Sequence, residues 1–157
     1  MPFVITDSEY TTWPGALENG WSAPGQHREI FQLAALLVDD DFNERRSFLQ
    51  YVLPKINREL SPLAQQLTGV SQLELEQRGI SFSRAFERFT EFVGRTPIIC
   101  MNRDSAVVRE NCEINELPFP FASDYHRLRP LLVLLLISSF TYLKRCLGAL
   151  IARRRDK

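Results

Sequence analysis

Apolar residues along this chain recur first at strand spacing and then at helix spacing. Phe3, Val4, Ile5 and Thr6 form a β-branched and aromatic run that predicts a strand ending at the acid Asp7. A second run, EIFQLAALLVD over Glu29 to Asp39, predicts a strand closed by the acidic turn Asp39, Asp40 and Asp41. Phe48 to Leu53 predicts a third, stopped by Pro54 because proline cannot donate to a sheet ladder. The three should form a meander. Between the first two, Thr11 to Arg28 carries Pro14, Gly15, Gly20, Pro24 and Gly25. It reads as a long loop, and long loops in compact domains are more often functional than idle.

The middle of the chain turns helical. Ser61 before Pro62 marks an N-cap and first turn, and Gly69 marks a stop, bracketing a short helix through Leu67. Ser71 and Glu74 have capping-box spacing for a second short helix that Gly79 ends. Ser81 or Ser83 then caps a longer helix in which Phe82, Phe86, Phe89 and Val93 recur at three- and four-residue steps. Arg84, Glu87, Arg88 and Glu91 take its other side and Gly94 its end, so the phenylalanine stripe reads as core packed on a sheet. Pro97 to Met101 makes another apolar strand. Asp104 opens a helix containing Ala106, Val107, Val108 and Cys112, and Pro118 and Pro120 interrupt regular structure beyond it. Strands first, then alternating helix and strand, predict an α/β fold with a mixed sheet.

Composition narrows the class. The chain has 157 residues, 45% hydrophobic and 11% aromatic, enough for one packed core, which excludes a disordered chain. Basic and acidic residues number 19 each, so the total charge points to no partner. Their distribution is uneven. Lys144, Arg145, Arg153, Arg154, Arg155 and Lys157 stand with one acid, Asp156, after Leu143, which puts a basic tail on an acidic body. Cys100, Cys112 and Cys146 are odd in number and far apart, so neither a disulfide framework nor a zinc site is indicated. A reducing, cytoplasmic setting is expected. The start, MPFVITDSEY, has neither the basic nor the apolar part of a signal peptide, and the mature chain is expected to begin at Met1.

Asp7 and Glu9 carry the most chemical information. Side chains i and i+2 on a strand share one face, so Asp-x-Glu points two carboxylates into the same space. Such groups repel unless a cation lies between them. Hard Mg²⁺ or Mn²⁺ suits that demand, and two-metal sites place ions ~4 Å apart to activate a water and stabilise a leaving oxygen on phosphorus. Taken alone, the pair is more often a solvated strand end. Tyr10, Trp13 and Trp21 lie in or beside the following loop. One of them can stack on a terminal base whatever its identity, or Trp21 can anchor the loop to the body.

The ordered set FVITDSEYTTW, HREIFQLAALLVDD, LSPLAQQLTGVSQLELEQRG, SFSRAFERFTEFVG and IICMNRDSAVVRENC resembles the DEDD 3'-to-5' exonuclease superfamily, which includes ribonuclease T and polymerase proofreading subunits. LTGVS is similar to that family's L-T-G-I-[ST] signature and follows the third strand, as in the family. The resemblance covers about Phe3 to Leu132 and implies a ribonuclease H-like exonuclease domain over 1–132, followed by a separate segment over 133–157. It implies Asp7, Glu9 and Asp104 as catalytic acids and metal ligands for two Mg²⁺ or Mn²⁺ ions, and Thr11 at the terminal nucleotide beside Tyr10 and Trp13. From the residues alone, an N-cap is the favoured reading of Asp104. The implied substrate is a single-stranded or frayed 3' end of RNA or DNA, with a histidine as general base and release of nucleoside 5'-monophosphates. The resemblance also brings a homodimer into view.

One family motif is missing, a histidine followed five residues later by aspartate. His126 is followed at that spacing by Leu131, Asp156 is preceded by Ile151, and His27 lies in the first loop, out of order for the motif. Asp124 and His126 are the nearest substitutes. After Leu132 the chain becomes apolar and then basic, and the uncharged run Pro130 to Leu143 is short of the ~20 residues of a membrane span. Altered or truncated ancestry is the favoured reading of this segment, ahead of a peripheral membrane anchor and a replacement helix. The alternative to an enzyme is an inactive exonuclease-like protein that binds nucleic acid or serves as a scaffold, at a membrane through its C-terminal segment in one version.

Overall fold

The computed structural model describes residues 2–100 and 104–121, and the backbone of 125–127. Its elements run β1 Phe3–Tyr10, α1 Ala16–Asn19, β2 Ile30–Val38, β3 Glu44–Leu53, α2 Pro62–Thr68, α3 Gln72–Arg78, β4 Ile80–Ser81, α4 Phe82–Val93, β5 Ile98–Cys100, α5 Asp104–Ile114 and β6 Tyr125–Arg127. The strands form one mixed sheet in the order β4-β3-β2-β1-β5-β6. The meander β1-β2-β3 is antiparallel, while β5 lies parallel to β1 and β6 parallel to β5. This is the mixed-sheet α/β arrangement that the element order predicts, and it has the ribonuclease H-like form that the resemblance implies.

The expected end of β1 is corrected. The strand runs three residues past Asp7, to Tyr10, with Ser8 and Glu9 paired to Leu33 and Gln32 of β2. Acids and serine are poor strand formers, and the ladder to β2 overrides that preference. Both acids therefore sit within the sheet.

Helix ends follow their serines. Ser61 Oγ accepts from Ala64 N at 3.0 Å, Ser71 Oγ from Glu74 N at 3.1 Å and Ser81 Oγ from Arg84 N at 3.4 Å, so Ser81 rather than Ser83 caps α4. The α4 stripe is buried against one sheet face, where Phe82, Phe86, Phe89 and Val93 join Val4, Leu33, Val52, Ile98 and the α5 residues Val107 and Val108. α2 and α3 insert Ala64 and Leu75 into a second cluster with Phe31 and Tyr51. The two short strands β4 and β6 and the single-turn α1 add to the predicted elements. Asp124, the 132/133 boundary and the apolar and basic tail lie outside the described residues, and the side chain of His126 is not described either. No helix among the described residues is long and apolar enough to cross a membrane.

Gly79 joins α3 to β4 at an ordinary φ of −74°, so the constraint on it is space. A Cβ there would lie 2.5 Å from the Leu75 carbonyl oxygen and 2.8 Å from Leu53 Cγ. Gly79→Ala is expected to lower stability by ~1–3 kcal/mol, the usual cost of overpacking, measured as a fall in the urea midpoint. An unchanged midpoint would show that the α3 end yields without cost.

Candidate active site

Strand register brings the acids together. Asp7 lies opposite Ala34 and Glu9 opposite Gln32, so both carboxylates leave the same sheet face near the C-terminal end of β1. β5 runs beside β1 in the same direction, pairing Thr6 with Cys100, and α5 starts four residues later. That connection carries Asp104, only 6% exposed, to the end of β1. Ser8, between the two acids, secures it: its backbone N–H and its hydroxyl both donate to Asp104 Oδ1, at 3.1 and 2.6 Å.

The far half of α5 is secured as well. Asn111, 2% exposed, accepts from Ile30 N at 3.0 Å through Oδ1 and donates through Nδ2 to the carbonyls of Arg28 at 2.7 Å and Val107 at 2.8 Å. Arg28 forms a two-pronged pair with Glu110, its Nε 2.9 Å from Oε2. The helix that delivers Asp104 is thus tied to β1 at one end and to the start of β2 at the other.

Asp7, Ser8, Glu9 and Asp104 line a cavity of about 490 Å³, together with Tyr10, Thr12, Trp13 and Trp21 on the loop side and Leu63 and Leu67 of α2 opposite. The lining thus combines carboxylates, Glu18 of α1 among them, with apolar and aromatic surfaces. Of the residues expected at the substrate, Tyr10 and Trp13 line this cavity and Thr11 does not. Thr11 is 1% exposed, its hydroxyl donates to the His27 carbonyl and accepts from Glu29 N at 3.0 Å, and its neighbour Thr12 takes the lining position.

Trp21 anchors the loop and also lines the cavity. Its Nε1 donates to the Thr11 carbonyl at 3.0 Å and its ring meets Tyr10 edge-on at 5.6 Å, which anchors the loop, while one surface lines the cavity. The Arg28 guanidinium lies 5.5 Å from the ring centroid on top of these contacts. Glu29, 2% exposed, supports the loop from behind by accepting the backbone N–H groups of Lys55, Ile56 and Asn57 at 2.6–2.8 Å. His27 lines a separate cavity of about 330 Å³ behind Trp21.

The donor set suits a hard divalent cation, since Asp7, Glu9 and Asp104 supply carboxylate oxygens to one cavity. Among the described residues, no three of His, Cys, Asp and Glu stand close enough together to hold an ion by themselves. Among the described residues the cysteines are Cys100 and Cys112, both buried, and burial pushes the Cys112 thiol up to about 12, where it stays protonated.

Sequence reasoning misses Ser8, Thr12, Leu63, Leu67 and Asn111. Asn111 leaves a signal: it falls in step with Asp104, Val107 and Val108 on the buried face of α5, where a polar residue needs a purpose. Ser8 leaves none, because its partner is 96 residues away.

Comparison with known proteins bears on the family and the fold. Residues 4–137 match the family model described as Exonuclease, of the ribonuclease T group. No curated protein sequence matches. Among solved structures, the nuclease domain of 3'hExo, a DEDDh family member bound to rAMP, is similar with a TM-score of 0.67 and 22% identity, over 77% of this chain and 63% of that one. Exonuclease I of E. coli in complex with a dT13 oligonucleotide is similar with a TM-score of 0.60 and 22% identity, over 80% of this chain and 27% of that one. A 3'-exonuclease solved in specific recognition of a histone mRNA stem-loop gives 0.65 and 22%, over 76% and 55%. The chain thus spans less than two thirds of each of these structures.

Ser8→Ala removes the hydroxyl bond to the Asp104 carboxylate and leaves the backbone bond, and hydrogen bonds to charged groups contribute ~1.5–3 kcal/mol. A loss of stability near that size is expected in urea unfolding at neutral pH. No loss would mean that Asp104 is held by other contacts.

Proposed function

Because the chain belongs to the exonuclease family, we propose that it removes nucleotides one at a time from single-stranded or frayed 3' ends of RNA or DNA, releasing nucleoside 5'-monophosphates. The observation that supports this most is a single cavity lined by Asp7, Glu9 and Asp104 together with Tyr10, Trp13 and Trp21. In this reading the three acids contribute oxygens to the binding of two Mg²⁺ or Mn²⁺ ions, with water completing the coordination. When bound, such ions supply an activated water and neutralise charge at phosphorus.

The chain's own residues bear on how a substrate end would be held. Three carboxylates repel a phosphodiester, so the cavity is selective for substrate only when cations offset its charge. Asp104 keeps its orientation through Ser8, which leaves its second oxygen for other partners. Tyr10, Trp13 and Trp21 offer ring faces and edges to a base, and stacking of this kind accepts any base. Trp21 is pinned at Thr11, so this wall is formed in advance of substrate and binding loses little free energy in ordering it.

A second reading is favoured by one observation, the missing His-x-x-x-x-Asp motif. Loss of a general base typically lowers rate by ~10²–10⁴, and the family's fourth acid goes with it. In that reading the same cavity binds a nucleic-acid end and turns it over slowly or not at all.

The test is metal-dependent trimming of a 5'-labelled single-stranded oligonucleotide by the full chain. Stepwise 3' shortening is expected in Mn²⁺, slower by ~10²–10⁴ than a family enzyme with the complete motif, and it should be lost in Glu9→Gln. Oligonucleotide binding without shortening would establish the second reading. Neither binding nor shortening would contradict both.

A further inference from the structure

One enclosed polar group on the acidic face has no role in the fold or in the cavity lining. β2 reads Ile-Phe-Gln-Leu-Ala-Ala-Leu-Leu-Val, and Gln32 is its one polar residue. It lies directly opposite Glu9 in the antiparallel ladder, and such partners project to the same face with Cβ atoms ~4.5–5.5 Å apart. Gln32 is 2% exposed, and its Nε2 is enclosed without a hydrogen-bond partner. An enclosed donor left unmet lowers stability, and an apolar side chain of the same shape would avoid that loss. The position therefore carries a group that the folded chain alone does not need.

The geometry points to Gln32 as a positioning residue for Glu9, its Nε2 donating to the Glu9 carboxylate when a divalent cation is bound. This rests on the reading of Glu9 as a metal ligand. A carboxylate has about four lone-pair positions, so Glu9 can accept this bond in addition to its other contacts while still offering oxygen to a cation. Carboxylates that bind metals are themselves held by outer hydrogen-bond donors, and loss of such a donor typically weakens metal binding ~10–100-fold. On its other flank Gln32 pairs with Tyr51 of β3.

Gln32→Met and Gln32→Leu separate this role from plain packing, because the two effects have opposite signs. Metal-free melting of the full chain should occur at a higher temperature in both variants, while Mn²⁺ titration calorimetry should show affinity weakened ~10-fold or more. Wild type and variants binding Mn²⁺ equally would overturn the role of Gln32 and leave the metal site standing. Variants that melt lower than wild type, or do not fold, would show that Gln32 is structural and would also overturn it. A wild-type chain that binds no Mn²⁺ would overturn the metal reading and this inference with it.

Discussion

The parallel pairing of β1 with β5 brings the C-terminal ends of two distant strands to one edge of the sheet, so a helix that follows β5 starts beside the acids of β1. Ser8 converts that proximity into contact through its two bonds to Asp104 Oδ1. An antiparallel β5 would send its following helix to the opposite edge. The same D-x-E on β1 would then be two solvated carboxylates with no third acid.

Concentrating carboxylates at one edge opposes folding, and the surrounding structure offsets it by burial and by fixed backbone. The phenylalanine stripe of α4 packs the opposite face of the sheet, and Asn111 and the Arg28–Glu110 pair hold α5 at its far end. Glu29 and Thr11 fix the base of the loop that bears Trp21. The loop is thus supported by contacts that do not themselves face the cavity. Its walls can present aromatic surfaces without being a mobile flap in the free protein.

Much of this fold is legible in the sequence, because its signals are local. Serine caps and glycine stops locate α2, α3 and α4 within a residue or so, and the Phe82 to Val93 stripe identifies the core face. β4 and β6 are two and three residues long and are defined only by their neighbours, so no periodicity announces them. α1 is a single turn between Gly15 and Gly20, both at positive φ, inside a stretch whose glycines read as loop. The site divides the same way. Asp7 and Glu9 follow from strand spacing, Asp104 only from family resemblance, and Ser8, Asn111 and Gln32 from pairings between distant segments. Thr11 and Thr12 cannot be distinguished from the sequence, since strand phase at the end of β1 decides which of them turns inward.

If acids from β1 and α5 form one cation site, a single ion must sense both segments at once. Sub-stoichiometric Mn²⁺ titrated into the ¹⁵N-labelled full chain measures this, because the paramagnetic ion broadens amide signals near where it binds. Signals of Asp7, Ser8, Glu9 and Asp104 should broaden together, before those of the acidic turn Asp39 to Asp41, where Asp40 and Asp41 are exposed. Broadening that begins at that turn, or that reaches β1 while leaving Asp104 untouched, would contradict a shared site.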